Sequence, residues 1–399
     1  GPAERDPFLS LMFAPAAFTR RWQHEQNLTP ALANVQAANF ADDAQEAQAI
    51  ALLMRHALET PARTAALVTP DRNLARRVAS ALARWGIGVD DSAGQPLSQT
   101  PPGAVLALLA QLGAEFDPVT LIGLLSHPLV RKGERRLIWL DHVRGLDLFL
   151  RGPGLLPGWH GISARIAERA DDPKARGHAL AVQLRPWWDE IMAQLHPLLN
   201  IFHAGHPAPP AAFLDGLQQA LEWLTGEDAW RGPAGRALAA MFDRWTLARE
   251  FGPALVRCDD FPQMLAELTA GESVRSPFGG HPRLFIWGLL EARLQRADVM
   301  ILGGLDEGRW PPRQSPDAWL APGVRRMLGL APLERQQGAA AHDFAGAFAA
   351  RQVVITRADR SGGDPTVASR FWLRLAALGG DLPEPMPDGV SVVRLAAGL

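Results

Sequence analysis

The sequence predicts an α/β protein in which two separate parts of the chain build one parallel sheet and a large, mostly α-helical domain is inserted between them. Short apolar runs, typical of buried strands, occur near both ends, at residues 65–68, 283–290, 298–305 and 352–359. The intervening chain is long enough for crossover helices, which favours parallel pairing. Residues 118–262 instead alternate helical stretches with Pro- and Gly-rich breaks.

Composition limits the classes of protein that are possible. With 399 residues and 47% hydrophobic content, the chain is long enough for two or three packed domains and too apolar to be disordered. A net charge of −2 excludes a uniformly basic nucleic-acid binder but allows a local basic groove. The single cysteine, Cys258, excludes an internal disulfide and a cysteine-rich zinc or iron–sulfur site.

The sequence has no feature of a membrane or secreted protein. No apolar run reaches the length of a membrane span, and the N-terminal stretch GPAERDPFLSLMF lacks the pattern of a signal peptide. We interpret its leading Gly-Pro as a protease scar. We therefore expect a cytoplasmic protein with no membrane partner.

The first predicted crossover covers residues 65–89. A strand at Ala65 to Val68 precedes a helix, and a second strand is predicted at residues 87–89. The helix has one apolar face, formed by Leu74, Val78, Ala81, Leu82 and Trp85. Arg76, Arg77 and Arg84 lie off this face, so we interpret them first as a solvated surface.

The central segment is predicted to be helical and rich in buried indoles. Five tryptophans are expected to pack in its core: Trp187, Trp188, Trp223, Trp230 and Trp245. No metal site is predicted at His203 and His206, because no further ligand has a suitable spacing. The predicted parts are a lead-in at 1–40, a first sheet part at 41–117, the helical insertion at 118–275 and a second sheet part at 276–399.

Charged loops follow three of the predicted strands. They are TPDR at 69–72, GLDEGRWPP at 304–312 and TRADRSGGDP at 356–365. Parallel strands would place these loops on one edge, where ligands of open α/β sheets bind. This rim would hold Arg72, Arg309, Arg357 and Arg360 beside Asp306 and Glu307. The arginines could bind phosphate, or they could pair with the acids across the loops.

Three blocks of sequence carry a resemblance to a known family. They are LVTPDRNLARRVASALARWGIGVDDSAGQPL, GLLEARLQRADVMILGGLDEGRWPP and LERQQGAAAHDF with VVITRADRSGGDPTVASRFWLRL. Their order and content resemble the alphaproteobacterial AddB family, the double-strand-break repair subunits of AddAB helicase-nucleases. The resemblance implies an internal part of such a subunit: the second RecA-like (P-loop NTPase-type) motor domain, 2A, with its helical insertion, 2B.

The active centres of that family are not expected in this chain. No G-x-x-x-x-G-K-[ST] loop occurs, no PD-(D/E)xK pattern is convincing, and one cysteine cannot hold an iron–sulfur cluster. We therefore predict no catalytic residue, no metal and no cofactor here.

Helicase motifs laid over the strands are degenerate. Where related motors carry an arginine after the first strand, this sequence has Pro70. The motif around the next strand keeps its second half, with Glu307 and Gly308, whereas its first half has become LEARLQRA, which includes Arg293.

The last helicase motif is also degenerate. Glu334 and Arg335 match its start, but Phe344 stands where the resemblance places a charge-stabilising arginine. Loss of such an arginine typically slows phosphoryl transfer by roughly 10³ to 10⁵. The resemblance thus implies a motor fold without ATP hydrolysis.

The predicted function is that of a helicase-like module that binds or scans a DNA strand, single-stranded or at a duplex end, beside the AddA motor subunit. Aromatic and basic side chains suit single-stranded DNA. The candidate DNA-binding residues are Arg72, Arg76, Arg309, Trp310, Arg357, Arg360 and Arg370.

Two alternatives remain open. The chain could be a scaffold that binds AddA and has no DNA binding of its own, which a net charge near zero favours mildly. A metal-dependent nuclease using Asp306 with Glu307, or Asp90 with Asp91, is less favoured, because adjacent acids on a strand point to opposite faces.

Overall fold

The chain forms two compact units. In a computed structural model, the described residues are 2–23, 29–151, 158–249, 251–275, 280–313, 319–332 and 334–398. Unit 1 contains the two ends, Gly1–Ala93 and Phe278–Leu399, and unit 2 is the continuous segment Gly94–Pro277.

The first segment of unit 1 alternates helices and strands. Its elements are α1 (Pro2–Met12), 3-10 turns at Ala16–Gln23 and Thr29–Leu32, β1 (Val35–Phe40), α2 (Asp43–Ala57), β2 (Ala65–Val68), α3 (Arg72–Ala83) and β3 (Asp90–Asp91). Asp42 and Asp71 begin α2 and α3, because each carboxylate accepts hydrogen bonds from two backbone N–H groups of the first helical turn. The second strand of this crossover is β3, which starts at Asp90 and not at residue 87 as predicted. Before it, Gly86 lies in a turn with a φ of 71°.

Unit 2 is mostly helical. Its elements are β4 (Gln95–Pro96), α4 (Pro101–Glu115), α5 (Pro118–Ser126), α6 (Arg136–Leu150), α7 (Gly158–Asp171), α8 (His178–Phe202), α9 (Pro210–Thr225), α10 (Gly232–Leu247), α11 (Phe261–Ala270) and β5 (Ser273–Val274), with 3-10 turns at Leu97–Gln99, Gly226–Trp230 and Cys258–Asp260. The five predicted tryptophans lie in or against its apolar core, as expected. His203 contacts the Trp159 ring edge-on, at 4.6 Å between ring centroids.

The second segment of unit 1 returns to strands. Its elements are β6 (Leu284–Trp287), β7 (Val299–Leu302), α12 (Pro322–Met327), α13 (Glu334–Phe348), β8 (Gln352–Ala358), β9 (Arg360–Ser361), β10 (Asp364–Pro365), α14 (Arg370–Gly379), a 3-10 turn at Pro387–Gly389 and α15 (Val392–Ala397).

One six-stranded sheet unites both segments of unit 1. Its strand order is β1-β8-β7-β2-β6-β3, and every neighbouring pair is parallel. Alternate residues of the central strands face opposite cores: Leu67 and Ile301 pack with α2 and α3, whereas Ala66 and Met300 pack with α1, α13 and α14. The predicted α/β class and parallel sheet are confirmed.

Residues 1–40, predicted as a lead-in, contain α1 and an edge strand of the sheet. β1 pairs with β8 over six residues, from Val35 opposite Val353 to Phe40 opposite Ala358. In α1, the buried Arg5 guanidinium donates hydrogen bonds to the carbonyls of Ala31, Ala33, Phe348, Ala350 and Arg351. Three of these carbonyls, those of Phe348, Ala350 and Arg351, lie at or just after the C-terminal end of α13.

The helical unit also begins earlier than the predicted boundary at 118. Helix α4 lies in unit 2 because Leu106, Leu109 and Leu112 are buried in that unit's core. Within the described ranges, no helix is both long enough and apolar enough to cross a membrane.

Candidate functional site at the strand ends

Three loops meet at the carboxyl edge of the sheet because β2, β7 and β8 are parallel neighbours. The loop after β7 is fixed to β8 and to the segment that follows it: Leu305 N donates to Thr356 O of β8 at 3.0 Å, and Ser369 N donates to Leu305 O at 2.9 Å. Gly304 has a φ of 74°, a conformation that glycine adopts without strain. The residues that follow β7 are therefore held beside β8 at this edge of the sheet.

Asp306 is the centre of a cluster of opposite charges, which we call the strand-end cluster: Asp71, Asp306, Arg309, Arg357 and Asp359. The Arg309 guanidinium lies 2.9 Å from Asp71 and 3.2 Å from Asp306, and Arg357 Nε lies 3.5 Å from Asp306 Oδ1. Burial raises the pKa of Asp306 above its ordinary value, although Arg309 and Arg357 act in the opposite direction. The cluster thus neutralises its own arginines.

Arg357 is held inside the protein and does not face solvent. It is 7% exposed, and its Nη1 donates to Asn39 Oδ1 and Asp359 Oδ1, both at 2.8 Å. Its Nη2 donates to Thr366 Oγ1 at 3.1 Å. Hydrogen bonds, first from Asn39 and then from Arg357, hold the pKa of Asp359 below its ordinary value, despite partial burial. Arg357 is therefore placed to organise the loops.

A separate pair, Glu307 and Arg370, forms the outer side of the same loop. The Arg370 guanidinium donates to the Glu307 carboxylate, which also accepts from the Arg370 backbone N–H at 3.0 Å. Burial raises the pKa of Glu307, but these hydrogen bonds outweigh it, so the pKa lies below its ordinary value. Both residues line a cleft of about 560 Å³ that also contains Arg313 and Gln337.

Trp310 does not provide the aromatic platform that the sequence suggested. Its side chain is fully buried, its indole N–H donates to Gly303 O at 3.1 Å, and its ring contacts Phe344 edge-on at 5.8 Å. The Trp310–Pro311 peptide bond is cis. Phe344 is equally buried and also contacts Phe13 and Phe371. The residue at the position where the resemblance places an arginine, Phe344, is thus part of the aromatic core.

The remaining predicted residues are spread over unit 1. Pro70 and Arg72 line a cleft of about 280 Å³ with Arg309, and Arg72 pairs with Asp91. Arg76 is exposed on α3, and Arg360 is exposed on β9. Of the four arginines predicted on the rim, Arg309 and Arg357 belong to the strand-end cluster, Arg72 lies in the cleft with Arg309, and Arg360 is exposed on β9.

The other degenerate motif positions form an ion pair, a backbone turn and the start of a helix. Arg293 binds both carboxylate oxygens of Asp343, at 2.7 Å and 3.1 Å, which raises the pKa of Arg293 above its ordinary value. Gly308 has a φ of 87°. Glu334 and Arg335 begin α13, where Arg335 N donates to Pro332 O at 3.1 Å.

Glu46 is a site residue that the sequence reading missed. It lies fully buried on α2, where its Oε1 accepts from Gly304 N at 2.9 Å and from Thr356 Oγ1 at 2.6 Å. Its Oε2 has no hydrogen-bond partner among the described residues. Burial raises the pKa of Glu46 to about 7. The available signal was its position on the apolar stripe with Ile50 and Leu53.

The acids do not form the metal site of the nuclease alternative. Asp306 and Glu307 are each bound to different arginines, and Asp91 is bound to Arg72. The one three-residue group of possible metal ligands in the described parts of the chain is His56, Glu59 and Asp388, whose ligand atoms lie within 4.8 Å of one another. It is at the surface, and nothing else there points to an ion.

Neither a scan against models of protein families nor a search of curated proteins found a match for the chain. The fold and the site define an α/β protein whose parallel sheet ends in a neutralised arginine cluster. Any more specific activity has to be argued from this geometry.

Proposed function

We propose that the chain is a helicase-like, ATPase-inactive module of the AddB type, which binds or scans a DNA strand during resection of double-strand breaks for recombinational repair. Its partners would be DNA and an AddA-type motor subunit. The parallel sheet with helices on both faces is compatible with a RecA-like domain. The observation that supports the proposal is the strand-end cluster, in which Arg309 and Arg357 lie at the carboxyl edge of the parallel sheet and are neutralised by carboxylates.

Loss of hydrolysis follows from what occupies the two motif positions. Pro70 has no charge, and Phe344 packs against Trp310, so neither can stabilise a developing phosphate charge. Arg309 and Arg357 are nearby arginines, but both are bound to carboxylates. A phosphate would have to displace those carboxylates, which opposes nucleotide chemistry at this edge.

The test is an ATPase assay of the purified chain with and without single-stranded DNA, combined with a DNA-binding titration. We expect DNA binding that weakens with salt and no DNA-stimulated hydrolysis. A motor protein with intact motifs serves as the positive control. Hydrolysis accelerated by DNA would overturn the inactive-motor proposal, and absence of DNA binding at low salt would overturn the DNA-binding role.

A scaffold for the AddA-type subunit is the second candidate, favoured by one observation. Around α12, three large apolar side chains are exposed: Trp319 at 91%, Met327 at 86% and Leu328 at 61%. Exposed apolar groups that cluster in sequence are typical of a protein interface. Co-purification with the motor subunit, compared between the wild type and a Trp319→Ser, Met327→Ser variant, would test it; unchanged complex formation would contradict it.

A further inference from the structure

A second arginine-rich surface lies away from the strand ends, between α2 and α3. It is a cleft of about 450 Å³, which we call the α2–α3 groove, and its basic residues are Arg76, Arg77 and Arg84. Ala44, Ala47 and Ala81 are among its lining residues. Small residues between long basic ones leave room for a ligand between the two helices.

The groove arginines Arg77 and Arg84 are paired with carboxylates less than the arginines of the strand-end cluster are. Helix α3 contains no acidic residue, and none is among the described residues that line the groove. Arg84 donates to the neutral amide of Gln48. Arg77 lies 3.5 Å from Asp43, whose carboxylate also accepts from Ser361 Oγ at 3.2 Å. An approaching anion therefore meets the guanidinium groups of Arg77 and Arg84 beside one shared carboxylate.

The spacing of the arginines suits a chain of phosphates. Arg77 and Arg84 are seven positions apart, about 10 Å along a helix axis. One phosphate cannot contact groups spread over such a length, whereas a polynucleotide backbone can follow them. Guanidinium groups bind phosphate oxygens in a planar fork and remain charged at every physiological pH.

A partly exposed indole follows the last groove arginine in sequence. Trp85 directly follows Arg84 and is 37% exposed, and the Arg55 guanidinium lies over its ring at 5.7 Å from the centroid. An accessible indole next to a basic groove is the combination that single-stranded nucleic acids use, because any base can stack on it. A duplex offers no free base face of this kind.

We propose that the α2–α3 groove binds the backbone of single-stranded DNA through Arg77 and Arg84, and that Trp85 stacks on a base. This inference rests on the proposed DNA-binding function and assigns its phosphate contacts to the outer surface of α2 and α3. The arginines of the strand-end cluster then hold the loops together and do not contact DNA.

The experiment is fluorescence anisotropy of a labelled oligothymidylate titrated with the full chain at several salt concentrations. The groove variant is Arg77→Gln with Arg84→Gln, and the matched control is Arg20→Gln with Arg21→Gln, which removes two exposed arginines elsewhere in unit 1. We expect the groove variant to bind about tenfold or more weakly at low salt and to lose about 1.4 from the salt slope, since each single-strand phosphate contact contributes about 0.7. The control should stay within about twofold of the wild type.

Further variants separate the possible outcomes. Arg77→Lys with Arg84→Lys should keep the salt slope, and Trp85→Ala should weaken binding by roughly tenfold with little change in slope. If the wild type binds but the groove variant matches its control, the groove assignment is wrong while the DNA-binding function stands. If the wild type does not bind at all, both fail. Thermal melts of every variant check that the fold is kept.

Discussion

The strand-end cluster and the α2–α3 groove both contain arginines, but the partners of those arginines differ. In the cluster, Arg309 and Arg357 contact the carboxylates of Asp71, Asp306 and Asp359. In the groove, Arg84 contacts an amide, and Arg77 lies 3.5 Å from the single carboxylate of Asp43. The comparison teaches that an arginine at a sheet edge is not by itself a phosphate site, because the carboxylates within reach decide whether its charge is available.

The largest expected difference is in the free energy of unfolding that is lost when one of two indoles, Trp310 or Trp85, is removed. Trp310→Ala should lower the free energy of unfolding by about 4 kcal/mol, because it leaves a cavity and an unpaired carbonyl at Gly303. Trp85→Ala should lower it by less than about 1 kcal/mol, since that ring is partly exposed. Urea denaturation of unit 1 variants measures both. Equal decreases in the free energy of unfolding would contradict the difference in burial between the two rings.

The next largest difference in stability is expected between variants of two arginines, Arg357 in the strand-end cluster and Arg77 in the groove. Arg357→Ala should destabilise the protein by about 3 kcal/mol, because Asp306 and Asp359 lose a cation and Thr366 loses a donor. Arg77→Ala is the matched exposed change and should stay within about 0.5 kcal/mol of the wild type. Thermal melting at constant ionic strength compares them. A small effect of Arg357→Ala would show that the cluster is not the organiser of the loops.

Glu46 provides a pH test of the buried side of α2. Its pKa is raised to about 7 from an ordinary value of 4.5, so the folded chain holds a proton that the unfolded chain releases. The contribution of Glu46 to the free energy of unfolding is fully present below about pH 4.5. As the pH rises through about 7, this contribution falls by up to about 3 kcal/mol. Glu46→Gln should remove this loss, so it should be more stable than the wild type at pH 8.

The control for that prediction is Gln48→Glu on the same helix, which adds a carboxyl group in the groove and not in the core. It should leave the pH dependence of unfolding nearly unchanged between pH 5 and pH 8, since a partly exposed carboxylate keeps its charge in both states. If Glu46→Gln and the wild type have parallel stability curves over that range, Glu46 does not titrate as its burial implies.

The sheet could be predicted from sequence because its central strands are continuous apolar runs. AALV and VMIL are fully buried, as parallel strands covered on both faces must be. The strand VQAANF was missed because Gln36 and Asn39 interrupt its apolar pattern and its alanines are small. Its place beside β8 is decided by tertiary pairing, which no local pattern reports.

The sequence predicted which residues lie together at one edge of the sheet, but it did not predict the partners of their side chains. Adjacent strand ends place Arg309 and Arg357 on one rim, but whether they bind phosphate or acids depends on side-chain distances that the sequence does not contain. Trp310 was ambiguous for the same reason, since a loop indole can face solvent or the core. Glu46 was detectable only as a charged residue at an apolar helix position.

The position of β1 has a consequence for how the chain is made. β1 pairs only with β8 in the described sheet, and Phe8 of α1 stacks on Phe348 at 6.1 Å between ring centroids. A ribosome must therefore synthesise more than 300 further residues before either element meets its partner. Pairings so distant in sequence form slowly, and the waiting apolar segment is prone to aggregate. The nascent chain is thus expected to need a chaperone until β8 has been synthesised.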